Sequence, residues 1–314
     1  MAVTFGLFSL PEDAYDTSSG ATFLDGYARS IDLLGPEFTT LWASDHFQFE
    51  DAPVFECWTR LTYLAARFEK FKVGSLVVGQ GYRNPALLAK MAATLQFLTG
   101  GRLVLGIGAG WYEDEYRSYG YVYPSRKERV EQLDEVLTIL HLMWEGGPAT
   151  FDGKHYSISD AYCRPAPSTP IPITIGSAGK RVVGLAAARA DGWNADANLD
   201  VFNSPHAHLV ARLEELGRPA DEVSISVTAQ VNFPEDLDTF VGIEPTHFPE
   251  YDFDQVIHGP TPQDAIASLR PFVEAGVTHF QIAPQDLRTL RLFATEVAPA
   301  LAGERKLDAG HPPT

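Results

Sequence analysis

The chain has 314 residues, 45% of them hydrophobic and 21% charged, a globular composition that excludes an intrinsically disordered chain. Its 41 Asp and Glu against 24 Lys and Arg give a formal net charge of −17, which argues against nucleic-acid and anionic-membrane partners. The two cysteines, Cys57 and Cys163, form no CxxC pattern, so neither a disulfide framework nor a thiolate metal site is expected and a reducing cytoplasm fits.

Residues 3–8 (VTFGLF) read as an opening strand. Residues 22–34 read as a helix, with Phe23, Tyr27, Ile31 and Leu34 at helical spacing and Thr22 at its N-cap. Strand 39–43 precedes helix 58–68, and strand 72–78 precedes helix 86–98, where Pro85 sits in the first turn and its missing N–H is harmless. Strand 102–107 leads to the clearest helix, 125–145, with Val130, Leu133, Val136, Leu137, Leu140 and Trp144 in one apolar stripe. Ser125 and Glu128 make its capping box. Residues 149–157 read as a hairpin turning at Asp152-Gly153. Strand 171–175, helix 180–190, strand 192–195, helix 205–216, strand 223–228, helix 262–275, strand 278–282 and helix 285–297 complete the series.

About eight βα units with buried strands predict a single α/β domain over residues 1–314, a (β/α)8 TIM barrel, with a doubly wound open sheet as the competitor. Residues 231–259, acidic and aromatic, read as an insertion after the seventh strand that acts as a lid or contains short helices, and 302–314 as a frayed tail. No apolar run approaches the roughly 18–20 residues that span a bilayer, and the N-terminus lacks the basic region of a signal peptide.

In such a barrel the active site is built where the strands end. Asp45-His46, after the second strand, is the acid–base candidate because an imidazole titrates near neutral pH; a capping Asp beside an exposed His is the plain alternative. Gly176, Ser177, Ala178 and Gly179 resemble an anion nest at a helix start, with Lys180 and Arg181 adding charge, although an ordinary glycine turn has the same pattern. Gly106, Gly108 and Gly110 are spaced GxGxG, which departs from a dinucleotide fingerprint and suits a flat ring lying against the backbone. Glu113, Asp114 and Glu115 read as a solvated first helical turn. There is no GxSxG, P-loop or HExxH pattern, and the other histidines lack ligand spacing, so no metal is expected.

Taken in order, FGLF, LWASDHF (41–47), GYRNPALLAKMAATL (81–95), GGRLVLGIGAGWYEDEYRSYGY (100–121), SRKERVEQLDEVLTILHLMW, FDGKHYSISDAYCRPAPSTPIPITIGSAGKR, ARADGWN and GPTPQDAIASLRPFVEAGVTHFQI carry a family likeness. The chain resembles the bacterial luciferase-like monooxygenase superfamily, and within it the short members that use the deazaflavin coenzyme F420. The resemblance implies a (β/α)8 barrel with the ring of F420, or alternatively FMN, across its mouth. It implies a non-prolyl cis peptide within Ser75, Leu76 and Val77, behind the ring. Gly108, Ala109 and Gly110 would face the ring, and Gly176, Ser177, Ala178 and Gly179 would hold the cofactor phosphate. His46 matches the family's catalytic or cofactor-contacting histidine and Asp45 its acidic neighbour. Phe8, Trp42, Trp111 and Trp193 become candidates for the substrate pocket.

The activity implied is hydride transfer between F420 and a small organic substrate, with His46 handling a proton. FMN-dependent oxygen insertion and a non-catalytic flavin-binding barrel are the alternatives. Some sugar-phosphate dehydrogenases of this group place a catalytic glutamate just after the strand-four glycines, where this chain has Trp111, so their substrate does not carry over. Relatives commonly pair, so a cytoplasmic homodimer is expected.

Overall fold

Apolar runs become parallel strands and the periodic segments between them become helices. The computed structural model describes residues 2–49, 52–240 and 256–304. In chain order the elements are β1 (Thr4–Leu7), α1 (Gly20–Asp32), β2 (Phe38–Ala43), α2 (Cys57–Arg67), β3 (Lys72–Ser75), β4 (Val78–Gly79), α3 (Pro85–Leu98) and β5 (Leu103–Gly108). Next come α4 (Glu113–Ser118), α5 (Arg126–Trp144), β6 (Pro148–Asp152), β7 (Ser157–Tyr162), β8 (Ile173–Gly176), α6 (Lys180–Arg189), β9 (Gly192–Asp196) and α7 (Leu199–Leu216). The series ends with β10 (Ser224–Val231), β11 (Ile257–His258), α8 (Pro262–Glu274), β12 (His279–Pro284), α9 (Leu287–Leu292) and α10 (Ala298–Glu304). The strand order is β11-β10-β12-β1-β2-β3-β5-β8-β9, with β4 beside β5 and β9 also paired to β10. This is the expected (β/α)8 barrel, in which β3 and β4 share the third place and β11 is an addition beside β10. The β6–β7 pair is the expected antiparallel hairpin.

The chain divides into two compact units, and β2, β9 and α7 run from one into the other. The first comprises residues 1–40, 194–206 and 224–314. Here β1 pairs with β12 from Thr4↔His279 to Leu7↔Ile282, and β10 pairs with β12 from Ser226↔His279 to Val231↔Pro284. Its core centres on the fully buried Phe5, whose ring lies 5.7 Å from Phe38, 5.6 Å from Phe280 and 5.5 Å from Phe293. Helix α1 starts earlier than expected because Ser19 is its N-cap, with Thr22 as the third residue of a capping box.

The second unit comprises residues 41–193 and 207–223. Val73 pairs with Leu103 but Val78 with Ile107, so the third strand carries one residue more than its neighbour, a β-bulge. The Arg102 guanidinium holds the lower end of this region by donating to the carbonyls of Phe71 (2.6 Å) and Ala65 (2.8 Å). The expected Ser125–Glu128 capping box opens α5, and the Trp144 indole ties its other end to the Ala89 carbonyl at 3.0 Å. Two expectations change. Helix α7 begins at Leu199 rather than near 205, because the Asn198 side chain accepts from the Asp200 amide at 3.0 Å and supplies a start upstream of Pro205. Helix α4, of which the sequence reading gives only an acidic first turn at 113–115, runs from Glu113 to Ser118. Of the expected insertion, residues 241–255 lie outside the described residues, as do 305–314 of the expected tail.

Replacing Phe280 by Ala empties the centre of the first unit's core, and urea unfolding should show a loss of roughly 3–5 kcal/mol.

Candidate functional site

The residues singled out from the sequence, Phe8 excepted, fall in the second unit, most of them on the loops after its strands. After β2, Asp45 is buried and its two oxygens accept from Arg83 at 2.9 and 2.7 Å, while the Gly79 amide adds a third bond at 3.1 Å. Arg83 also reaches Glu56 at 2.6 Å, and Glu56 caps α2 by accepting from the Trp58 (3.0 Å) and Thr59 (2.7 Å) amides. A carboxylate held bidentately by a guanidinium and bonded to backbone is fixed in position. These bonds make Asp45 an anchor for the loop that carries His46.

The carboxylate that faces the histidine is Glu115 of α4, which is fully buried rather than solvated as the acidic run suggested. Its Oε1 accepts from the Tyr82 hydroxyl and its Oε2 from the amides of Phe47 and Gln48, the latter at 3.3 Å. His46 Nδ1 lies 3.4 Å from Glu115 Oε1, close enough to pair with it when protonated but out of line for a hydrogen bond. Burial pushes the Glu115 carboxyl up, but the His46 ring, the Tyr82 hydroxyl and the Phe47 amide outweigh it and hold it below its usual range. The signal available in the sequence was helical phase: Glu113 and Arg117 pair on one face of α4, which turns Glu115 and Tyr116 to the other.

The His46 side chain is 18% exposed and stands among Phe49 (4.4 Å between centroids), Trp111 (5.5 Å) and Tyr112 (6.1 Å). Its Nε2 is bonded to no described residue. Phe47 packs on Tyr82 at 4.6 Å and Tyr119 at 4.8 Å, which fixes the loop from its far side.

The bulge of the third strand contains the cis Leu76–Val77 peptide, at the place the resemblance implies. Ser75 Oγ donates to the Gly106 carbonyl at 2.8 Å and the Leu76 amide to the Ala43 carbonyl at 2.8 Å. A Cβ at Gly106 would collide with the Ser75 carbonyl, and one at Gly108 or Gly176 would sit 2.8 Å from a Val77 methyl. These glycines thus make room for the bulge, not directly for a ring. Val77, half-buried over Gly108 and Gly176, is the apolar surface left for a flat ligand. Ala109 is half-buried, and the place of a Gly110 side chain is filled by the Tyr116 hydroxyl.

On the 176–179 loop, the Gly179 amide donates to Ser177 Oγ at 2.8 Å, so one of the three amides of the expected nest is spent inside the loop. Gly176, Ser177 and Gly179 are half-buried and Ala178 is exposed; α6 begins behind them with no side chain capping its first turn. The Arg126 guanidinium stands 3.1 Å from where a Gly179 Cβ would be, an adjacent positive charge that the sequence reading missed.

Two of the expected pocket tryptophans are packing residues. Trp193 is fully buried and its indole donates to the Ser177 carbonyl at 2.8 Å, so it props up the loop. Trp42 is buried against Gly74, where any Cβ would collide with its ring. Trp111 is half-buried beside His46, and Phe8 is half-buried in the first unit.

The luciferase-like monooxygenase family matches residues 3–238, and the chain belongs to that family. It is 28% identical to the F420-dependent glucose-6-phosphate dehydrogenase of Kineococcus radiotolerans over 302 residues, covering 83% of this chain and 88% of that one. Among solved structures it is similar in fold to an F420-dependent secondary alcohol dehydrogenase bound to an F420-acetone adduct (TM-score 0.79, 18% identity, covering 96% and 99% of the two chains). It is similar in the same way to an EDTA monooxygenase from Chelativorans (TM-score 0.77, 15% identity, covering 97% and 94%).

The lowered Glu115 pKa sets a pH test. A carboxyl held below its ordinary value of 4.5 contributes stability above that value and loses it as pH falls through the folded-state pKa. Denaturant midpoints should therefore drop on acidification below about 4.5, and Glu115→Gln should have a flatter acid limb from a lower plateau.

Proposed function

We propose that this luciferase-like enzyme transfers hydride between coenzyme F420 and a small organic substrate, with His46 exchanging the accompanying proton. The observation that carries this reading is the pairing of a buried, multiply bonded Glu115 carboxylate with one side of the His46 ring, leaving Nε2 on the other. When bound, the deazaflavin supplies the hydride acceptor or donor. The second unit's residues fit such a group. Val77 offers a half-buried apolar face, and the 176–179 loop with Arg126 and the uncapped start of α6 offers positive potential for a phosphate. Glu115 stabilises the imidazolium formed when Nε2 takes a proton, and Asp45, through Arg83 and the Gly79 amide, holds the loop that carries the ring. Trp111, Phe49 and Tyr112 keep water from much of the imidazole.

The test follows F420 absorbance against a panel of alcohols and sugar phosphates. His46→Ala should lower kcat roughly 10²–10⁴-fold while leaving F420 affinity nearly intact, as expected of a lost proton carrier. Tight FMN retention with no F420 binding would overturn the cofactor reading in favour of oxygen insertion.

We also propose that the chain works in the cytoplasm as a homodimer. Both cysteines are free and buried, which suits a reducing compartment. A cavity of about 200 Å³ between α2 and α3 is lined by Trp58, Met91, Leu95 and Leu98 together with Thr62, Lys90 and Thr94. An apolar face of this kind fits a second copy of the chain. Light scattering should show a dimer in the wild type, and Leu98→Arg should shift it to a monomer.

A further inference from the structure

The first unit holds a polar layer that the reading above does not use. Gly6 of β1 pairs with Gln281 of β12, which pairs with Thr228 of β10. The Ala197 amide donates to the Thr228 carbonyl at 2.8 Å, and in a parallel ladder this sets Asp196, at the end of β9, opposite Thr228. Asn194, two residues earlier and so on the same face of β9 as Asp196, donates to Ser226 Oγ at 3.2 Å and Gln281 Oε1 at 3.0 Å. The four positions therefore form one row facing the same side as the Asn194–Gln281 bond.

Two groups in this row are left open. Gln281 is fully buried, its Oε1 is taken by Asn194, and its Nε2 has no hydrogen-bond partner among the described residues. A buried amide donor without an acceptor costs about 1–3 kcal/mol, so Gln281 Nε2 calls for an acceptor that the described residues do not supply. Gly6, its ladder neighbour, has no side chain that could supply an acceptor. The half-buried Asp196 side chain makes no hydrogen bond or ion pair to a described residue, and desolvation pushes its carboxyl up to about 6. The backbone around it is fixed all the same. The Ala197 carbonyl accepts from His258 Nε2 at 2.9 Å, which leaves His258 Nδ1 to accept from Ser268 at 2.7 Å.

We propose that Asp196 and the Gln281 amide form a binding recess for an alcohol hydroxyl of a small organic ligand. A hydroxyl is the group that satisfies both, since it donates to the carboxylate and accepts from the amide N–H. An ammonium has no lone pair for Gln281, and a carboxylate or phosphate is repelled by Asp196. The inference stands on the first unit's own residues and does not rest on the redox reading.

The probe is cyclohexanol, with cyclohexylammonium and cyclohexanecarboxylate as its charged counterparts, each tested by saturation-transfer NMR without cofactor. Cyclohexanol should bind the wild-type protein best of the three, and Asp196→Leu and Gln281→Leu should each weaken it by about tenfold or more, in line with the loss of one hydrogen bond to a buried partner. Should the variants fail to fold, ¹³C-carboxyl NMR of Asp-labelled wild-type protein decides. Saturating cyclohexanol should move the Asp196 resonance and its titration midpoint. Binding that is equal for the alcohol and the carboxylate, unchanged in both variants, or without effect on the Asp196 resonance would overturn the proposal.

Discussion

A single desolvated carboxylate organises the candidate site. Glu115 is charged in a position without solvent, and a charge there is tolerable only if hydrogen-bond donors replace the lost water. Those donors come from separate parts of the second unit: the Phe47 and Gln48 amides after β2, and the Tyr82 hydroxyl after β4. Satisfying one charge therefore fixes two loops to α4 and brings the His46 ring alongside. The second ion pair, Asp45 with Arg83, repeats the logic one residue earlier and extends it through Glu56 to the start of α2. The loop is rigid because two buried acids on either side of the histidine's attachment each require it to be.

The other constraint is steric. One additional residue in the third strand interrupts its pairing with β5 between Gly74 and Val78, and the extra length needs space. Gly106, Gly108 and Gly176 on the neighbouring strands provide that space. A methyl at Gly106 would strike the Ser75 carbonyl, so the bulge and the glycine spacing are two parts of one arrangement. Its outcome is a valine raised over β5 and β8, beside the loop that Trp193 supports from below.

Much of this was legible in the sequence where local physics decides. The alternation of apolar runs with periodic helices gave the barrel, and the Ser125–Glu128 spacing gave the start of α5. The strand-end reading singled out His46, and the family likeness located the cis peptide. What could not be read depends on residues brought together across the chain. Glu113, Asp114 and Glu115 look alike as a run of acids, and nothing local shows that the third lies under Phe47 and Tyr82. Trp193 and Trp42 carry the same side chain as Trp111, yet the first two lie within strands β9 and β2 and are buried, whereas Trp111 lies on the loop after β5 beside His46. The GxGxG pattern suggested a ring against bare backbone, whereas the space is taken by a bulge whose length is visible only in the pairing register. Asp196 was passed over because the sixth strand was ended one residue short of it.

The most direct measurement of the central claim is a crystal structure of the protein soaked with F420. The account predicts the flat ring lying on Val77, His46 Nε2 turned toward its reactive edge with Glu115 still behind the imidazole, and the phosphate at Ser177 near Arg126. A ring bound away from Val77, or a His46 side chain that leaves Glu115 and points elsewhere when the cofactor is present, would contradict it.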